Sequence, residues 1–179
     1  MKDWPLYISM FATATSVAGL TRIAFHTYDK KQPHTLSELA TAQDYLLRRF
    51  RTILWFCGTL FSVAMYGSII PASGYSAWLF AAWTAVYGGN LLAGTLPAKG
   101  ATKRSHELSA QLMAVGMLAV AFIFWLDSHS AIQLAITIAM TLLGFATFLD
   151  TKRFIFYELP FLYLSHISII VAAINLGQH

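Results

Sequence analysis

The chain has 179 residues, 57% of them hydrophobic and only 11% charged, with a formal net charge of +4. The charged fraction is under half the roughly 25% of ordinary soluble domains, too little to clothe a soluble core of this size, so a water-soluble globule is excluded and an all-α polytopic membrane protein is expected. The net positive charge does not imply nucleic-acid binding, because the basic residues sit at predicted helix ends, where each anchors against anionic headgroups by about 1 kcal/mol; the lone Cys57 rules out an intramolecular disulfide.

A helix needs about 20 mostly apolar residues to cross a hydrocarbon core of about 30 Å. The first expected span covers residues 4–25. Ala12-Thr13-Ala14 faintly resembles a signal-peptide cleavage site, but Asp3 cancels Lys2 and the apolar run continues to Phe25, so a retained helix is expected. The connection from His26 to Arg49 has room for extra structure. Within it, Thr35-Leu36-Ser37-Glu38 fits a capping box and Pro33 marks its start; Leu36, Leu39, Ala40, Leu46 and Leu47 form a loose helical stripe. These predict a short amphipathic helix lying on the inner membrane surface before span two.

The second span covers residues 50–70, stopped by Pro71 and Gly74, and the third covers 77–96, stopped by Pro97 and Gly100. Gly88, Gly89 and Gly94 in the third are expected to serve close packing. The fourth span runs over residues 105–126, with Ser105 as the expected cap and Glu107 complementing the helix dipole. The fifth covers 130–149 and carries Ala131, Ala135 and Ala139 at four-residue spacing, a ridge that lets another helix approach. The sixth covers 154–176. The turns after spans two and four are short enough to force antiparallel neighbours. The whole is therefore read as one six-helix transmembrane domain spanning residues 1–179.

Eleven of the 12 Lys and Arg residues fall on one side of that arrangement: Arg22, Lys30, Lys31, Arg48, Arg49, Arg51, Lys99, Lys103, Arg104, Lys152 and Arg153. Basic residues in short loops are retained on the cytoplasmic face, so both termini are expected on the non-cytoplasmic side of a plasma (inner) membrane. Trp4, Tyr7, Trp78 and Trp125 fit an outer aromatic belt, and Tyr28, Tyr45 and Tyr157 an inner one.

Polar groups inside hydrocarbon mark candidate sites. The first candidate is an anionic headgroup site at the cytoplasmic face, formed by His34, Ser37, Glu38, Arg48, Arg49, Arg51, Lys103, Arg104 and His106. The second is an intramembrane site of Asn90, Gln111, Glu158, Ser165 and His166. Glu158 and Ser165 are seven apart on one face, with Pro160 able to kink the helix between them; a buried His166 hydrogen-bonded to a neighbouring helix is the plainer alternative. His26, Asp29, His34, His106 and Glu107 offer imidazole and carboxylate groups suited to zinc or iron, but at no compact ligand spacing. Only His166 lies deep enough to ligate haem, no Lys falls within a span to hold retinal, and no phosphate loop, nucleophile elbow, CxxC or HExxH occurs. No cofactor is expected.

Two segments carry a family resemblance. Pro33-His34-Thr35-Leu36-Ser37-Glu38-Leu39-Ala40 resembles the loop after helix one in a prokaryotic six-helix membrane family known as domain of unknown function 998. Val86-Tyr87-Gly88-Gly89-Asn90-Leu91-Leu92-Ala93-Gly94-Thr95-Leu96-Pro97, followed by His106-Glu107-Leu108-Ser109-Ala110, resembles the end of helix three and the start of helix four there. The resemblance covers about the first two-thirds of the chain. It implies a six-helix membrane fold but no reaction. Related DRAM and Sfk-like proteins place the first loop on the lumenal or outer side, whereas the charges here place it inside; their links to membrane lipids favour lipid as a partner.

Three functions remain open on these grounds: lipid-headgroup binding or sensing, small-solute or proton-coupled transport through the intramembrane site, and a non-catalytic subunit of a homo-oligomer or larger membrane complex. Lipid enzymology is disfavoured, because no nucleophile–base pair or metal triad can be assembled.

Overall fold

The computed structural model describes residues 3–27, 35–149 and 154–177, and every regular element among them is helical. In chain order these are α1 (Trp4–Thr27), α2 (Leu36–Thr41), α3 (Asp44–Ala64), α4 (Ile70–Ala72), α5 (Ser76–Thr95), α6 (Lys103–Ser128), α7 (Ala131–Leu149) and α8 (Phe154–Gly177). A π-helical turn, Met65–Ile69, joins α3 to α4, so that the stretch Asp44–Ala72 is one continuous rod. Its cause is Pro71, which has no N–H and whose ring crowds the carbonyl four residues back, at Gly67. The preceding turn widens, and the Ile70 amide bonds to the Met65 carbonyl instead.

Four helical segments are long and apolar enough to cross a membrane: Trp4–His26, Asp44–Ala72, Gly100–Ser128 and Phe154–Asn175. The apolar stretch of α7, Ala131–Thr147, is shorter. The helices close into a ring in the order α1, α3, α5, α6, α7, α8 and back to α1, with α6 also touching α8.

Lipid tails are as apolar as leucine, so close packing and interhelical hydrogen bonds hold such a ring together more than hydrophobicity does. Glycine supplies the closest approaches. A Cβ on Gly89 would lie 2.7 Å from the Ser109 carbonyl oxygen, and one on Gly116 would lie 2.8 Å from Val86. These two positions bring α5 and α6 together. Gly94 receives the Trp55 indole, whereas Gly88 has nothing nearby, so two of the three span-three glycines serve packing as expected. Buried polar groups add cross-links: Trp83 Nε1 donates to Ser62 Oγ at 3.1 Å between α5 and α3, and Gln133 on α7 donates to Ser168 on α8 and to the Ala121 carbonyl on α6.

Three local expectations are corrected. The ridge of Ala131, Ala135 and Ala139 does not pack within the chain: Ala131 and Ala135 are exposed and Ala139 is half-buried. The inward face of α7 is instead Gln133, Ile136, Thr137 and Met140, because the buried glutamine must reach partners on α6 and α8. The helix α6 begins at Lys103, after a 3-10 turn at Gly100–Thr102, so Ser105 lies inside it and is no cap. The helix α2 has the expected capping box, with Thr35 Oγ1 accepting from the Glu38 amide and Glu38 Oε2 accepting from the Thr35 amide. Its apolar stripe, however, faces protein. Leu36, Leu39 and Ala40 are buried together with Leu20, Ile23, Phe50 and Ile155, so α2 plugs one end of the bundle between α1, α3 and α8.

That plugged end is also the basic end. Arg22 and Arg48 line one groove there, Arg51 reaches the Thr95 carbonyl, and Lys103 pairs with Glu38 of α2. The opposite end carries Trp4 against Gly67, and Asp127, whose carboxylate accepts from the Gly74 amide at 3.1 Å. His129 closes α6 there in a left-handed conformation, φ 48°. Lys30, Lys31, Lys152, Arg153 and Lys2 lie outside the described residues, as do Pro33 and Tyr28.

Candidate functional sites

The bundle holds two recesses of opposite chemical character. The first is an interior cavity of about 70 Å³, several times the roughly 10–15 Å³ that one water requires. It extends from Glu158, Ser37 and His106 at the plugged end to Trp83 and His166 deeper in the bundle, with Asn90 on its wall. Residues of both candidate sites meet here. Ser37 and His106 had been grouped with the headgroup contacts, and Asn90, Glu158 and His166 with the intramembrane set.

Each polar group has a definable state. Glu158 Oε2 accepts from the Leu36 amide at 2.7 Å, which ties α8 to the first turn of α2. His106 Nδ1 lies 2.8 Å from the Leu96 carbonyl oxygen. A carbonyl only accepts, so this nitrogen carries a proton. Asn90 Nδ2 donates to the Leu54 carbonyl at 2.8 Å, with Gly58 leaving the room: a Cβ there would fall 2.2 Å from that nitrogen. His166 is buried and stacked on Phe61 with ring centroids 4.8 Å apart, but its Nδ1 has no hydrogen-bond partner. The expectation of a histidine bonded to a neighbouring helix fails at that nitrogen.

Two expected members are elsewhere. Gln111 is exposed on α6, on the outer face of the helix that turns His106 inward. Ser165 is buried but donates to the Leu162 carbonyl of its own helix. The cavity-facing stripe of α8 is Glu158, Leu162 and His166, at four-residue spacing, rather than Glu158 and Ser165. Pro160 lies on the exposed side of this continuous helix.

The second recess is an open groove of about 660 Å³ between α1 and α3 at the basic end. Arg22, His26, Arg48 and Arg49 line it, with Tyr45 beside them, over a floor that includes Gly19, Ile23 and Ile53. The Arg49 guanidinium sits over the Tyr45 ring, 5.6 Å from its centroid, and His26 meets the same ring edge-on. Among the described residues no carboxylate lines the groove. Arg22 and His26 are the members that the headgroup set lacked; their signal was the one-turn spacing from Arg22 to His26 at the end of span one.

The remaining headgroup candidates are dispersed. Glu38 Oε1 takes Lys103 Nζ at 3.1 Å, and Glu107 lies 3.9 Å from the same nitrogen. Arg51 Nη2 donates to the Thr95 carbonyl at 2.9 Å, a helix C-terminal contact that ties α3 to α5. Arg104 is exposed on α6, and His34 lies outside the described residues. As for the metal candidates, Asp29 and His34 lie outside the described residues, His26 lines the groove, His106 lines the cavity, and Glu107 is exposed beside Lys103. The three described members do not converge, and among the described residues no group of three His, Cys, Asp or Glu side chains could hold a metal ion.

Gln133 and Ser168 form a further buried polar pair, outside both candidate sets. Gln133 is fully buried within an apolar span, so the rule that flags Asn90 applies to it equally. Comparison with family models, curated proteins and solved structures finds no match to this chain.

Proposed function

We propose that this chain is a membrane protein that binds anionic lipid headgroups on the cytoplasmic face, in the groove between α1 and α3. The observation that carries the reading is the composition of that groove: Arg22, Arg48 and Arg49 with His26, over an apolar floor and, among the described residues, no carboxylate. Guanidinium groups grip phosphate through paired hydrogen bonds, and Tyr45 holds Arg49 in place as a stacked cation. The floor suits the first methylenes of an acyl chain. In this reading the ring of α1, α3, α5, α6, α7 and α8 makes six crossings of a plasma (inner) membrane. Both termini then lie outside, and the basic end faces the anionic cytoplasmic leaflet.

Native mass spectrometry of protein extracted in mild detergent is expected to retain phosphatidylglycerol or cardiolipin in preference to phosphatidylcholine. The combined change Arg22→Ala, Arg48→Ala and Arg49→Ala is expected to lower that retention at least tenfold, since each lost guanidinium–phosphate contact removes about 1 kcal/mol or more. Lys103→Ala with Arg104→Ala, on α6, is expected to leave it nearly unchanged. Equal retention by both variants would sink the proposal.

A further inference from the structure

We propose that the interior cavity is a binding site for a small ammonium cation, either inorganic ammonium or a short primary amine. The inference is independent of the lipid reading, since it concerns a different recess with the opposite charge requirement.

The first support is electrostatic. Among the described residues Glu158 is the only acid on the cavity wall, and neither Lys nor Arg lines it. Its carboxylate is met by the Leu36 amide, while Lys103 on α6 is engaged by Glu38 and Glu107. When ionised, this partly buried carboxylate calls for a counter-charge, and among the described residues the wall supplies none; a cation entering the cavity does. An anionic guest would meet only repulsion from Glu158.

The second support is the sign of the hydrogen-bonding groups. Asn90 uses Nδ2 on Leu54, which leaves Oδ1 to accept, while His106 spends its Nδ1 proton on Leu96. His166 is 6% exposed, and its Nδ1 has no partner although the residue lines the cavity. Asn90 Oδ1 and the Glu158 carboxylate thus offer acceptors to a guest, and His166 Nδ1 joins them in the tautomer protonated at Nε2. An –NH3+ group has three donors and no acceptor, which is the complement of this set. Phe50 and Trp83 also line the cavity, and aromatic rings attract a cation in a dry site. A volume of about 70 Å³ admits ammonium or methylammonium and excludes tetraethylammonium.

The test is thermal stabilisation of the full-length protein in detergent at fixed ionic strength. The titrants are ammonium chloride, methylammonium chloride and tetraethylammonium chloride against a sodium chloride baseline. The expected result is saturable stabilisation by the first two and none by tetraethylammonium; whichever of the two binds more tightly separates an inorganic-ammonium site from an amine site. Glu158→Gln is expected to weaken binding at least tenfold, and Asn90→Ala several-fold. Arg48→Ala with Arg49→Ala is expected to leave it unchanged, so this site and the lipid groove succeed or fail separately. Should Glu158→Gln unfold, Ser16→Leu fills the cavity from α1 while keeping the carboxylate, and is expected to abolish the effect. Absence of saturable stabilisation in the unmodified protein, or equal stabilisation in Glu158→Gln or Ser16→Leu, would overturn the proposal.

Discussion

Replacing Trp83 with alanine is expected to destabilise the bundle by about 3 kcal/mol, with most of the loss coming from the void left behind rather than from transfer to lipid. In water, truncating a buried tryptophan also removes the gain of hiding apolar surface. In a bilayer that part shrinks, because the unpacked side chain would meet acyl tails instead. What remains is lost contact: Trp83 is almost wholly buried between α3 and α5, with Leu79, Val86 and Phe61 in the same core cluster. The bond from its indole to Ser62 is the lesser part. Interhelical hydrogen bonds in membranes average about 0.6 kcal/mol. Trp83→Phe, which keeps most of the volume and drops the donor, is therefore expected to cost about 1 kcal/mol. Reversible unfolding in mixed micelles distinguishes these outcomes; equal losses for the two variants would make the hydrogen bond, not packing, the main contribution.

Gly89→Leu is expected to separate α5 from α6, at a cost of about 3 kcal/mol or more. Even a Cβ at this position would fall 2.7 Å from the Ser109 carbonyl oxygen and 3.0 Å from the Met113 amide nitrogen. Both are backbone atoms and cannot rotate aside. The helices must part, and the packing around Gly116 on the same interface opens with them. The adjacent Gly88 provides the control, since a Cβ there meets nothing within 4 Å. Gly88→Leu is expected to leave the melting midpoint nearly unchanged. A comparable loss at both positions would mean that helix propensity or insertion, and not the α5–α6 approach, governs the effect.

Some of this architecture is legible in the residue order. Pro97 and Gly100 place the end of α5, and Thr35 with Glu38 announces the capping box that forms. Asn90, Glu158 and His166 stand out as polar groups in apolar runs, and they do line one cavity. The rest depends on rotation about each helix axis, which an almost uniformly apolar helix does not encode. In α7 the alanine ridge suggests one inward face, yet Gln133 and Thr137 turn another inward, since both bond to the Ala121 carbonyl of α6. For α2 the same stripe suits either a membrane surface or a protein plug; the choice follows from Glu158, 122 positions away, which meets the Leu36 amide. The dispersal of the basic cluster has a similar origin. Arg48, Arg49 and Arg51 are neighbours in sequence, but helical geometry sends the first two to the α1 groove and Arg51 across to α5.

The central claim is that an anionic headgroup occupies the α1–α3 groove. Photo-crosslinking in vesicles of phosphatidylcholine and phosphatidylglycerol tests it most directly, using a phosphatidylglycerol analogue with a photoreactive group near its glycerol and peptide mapping of the adducts. Adducts concentrated on residues 19–26 and 45–53, and lost on competition with unlabelled phosphatidylglycerol but not phosphatidylcholine, are the predicted result. Adducts spread over all lipid-facing helices, or centred on residues 103–112 of α6, would contradict it.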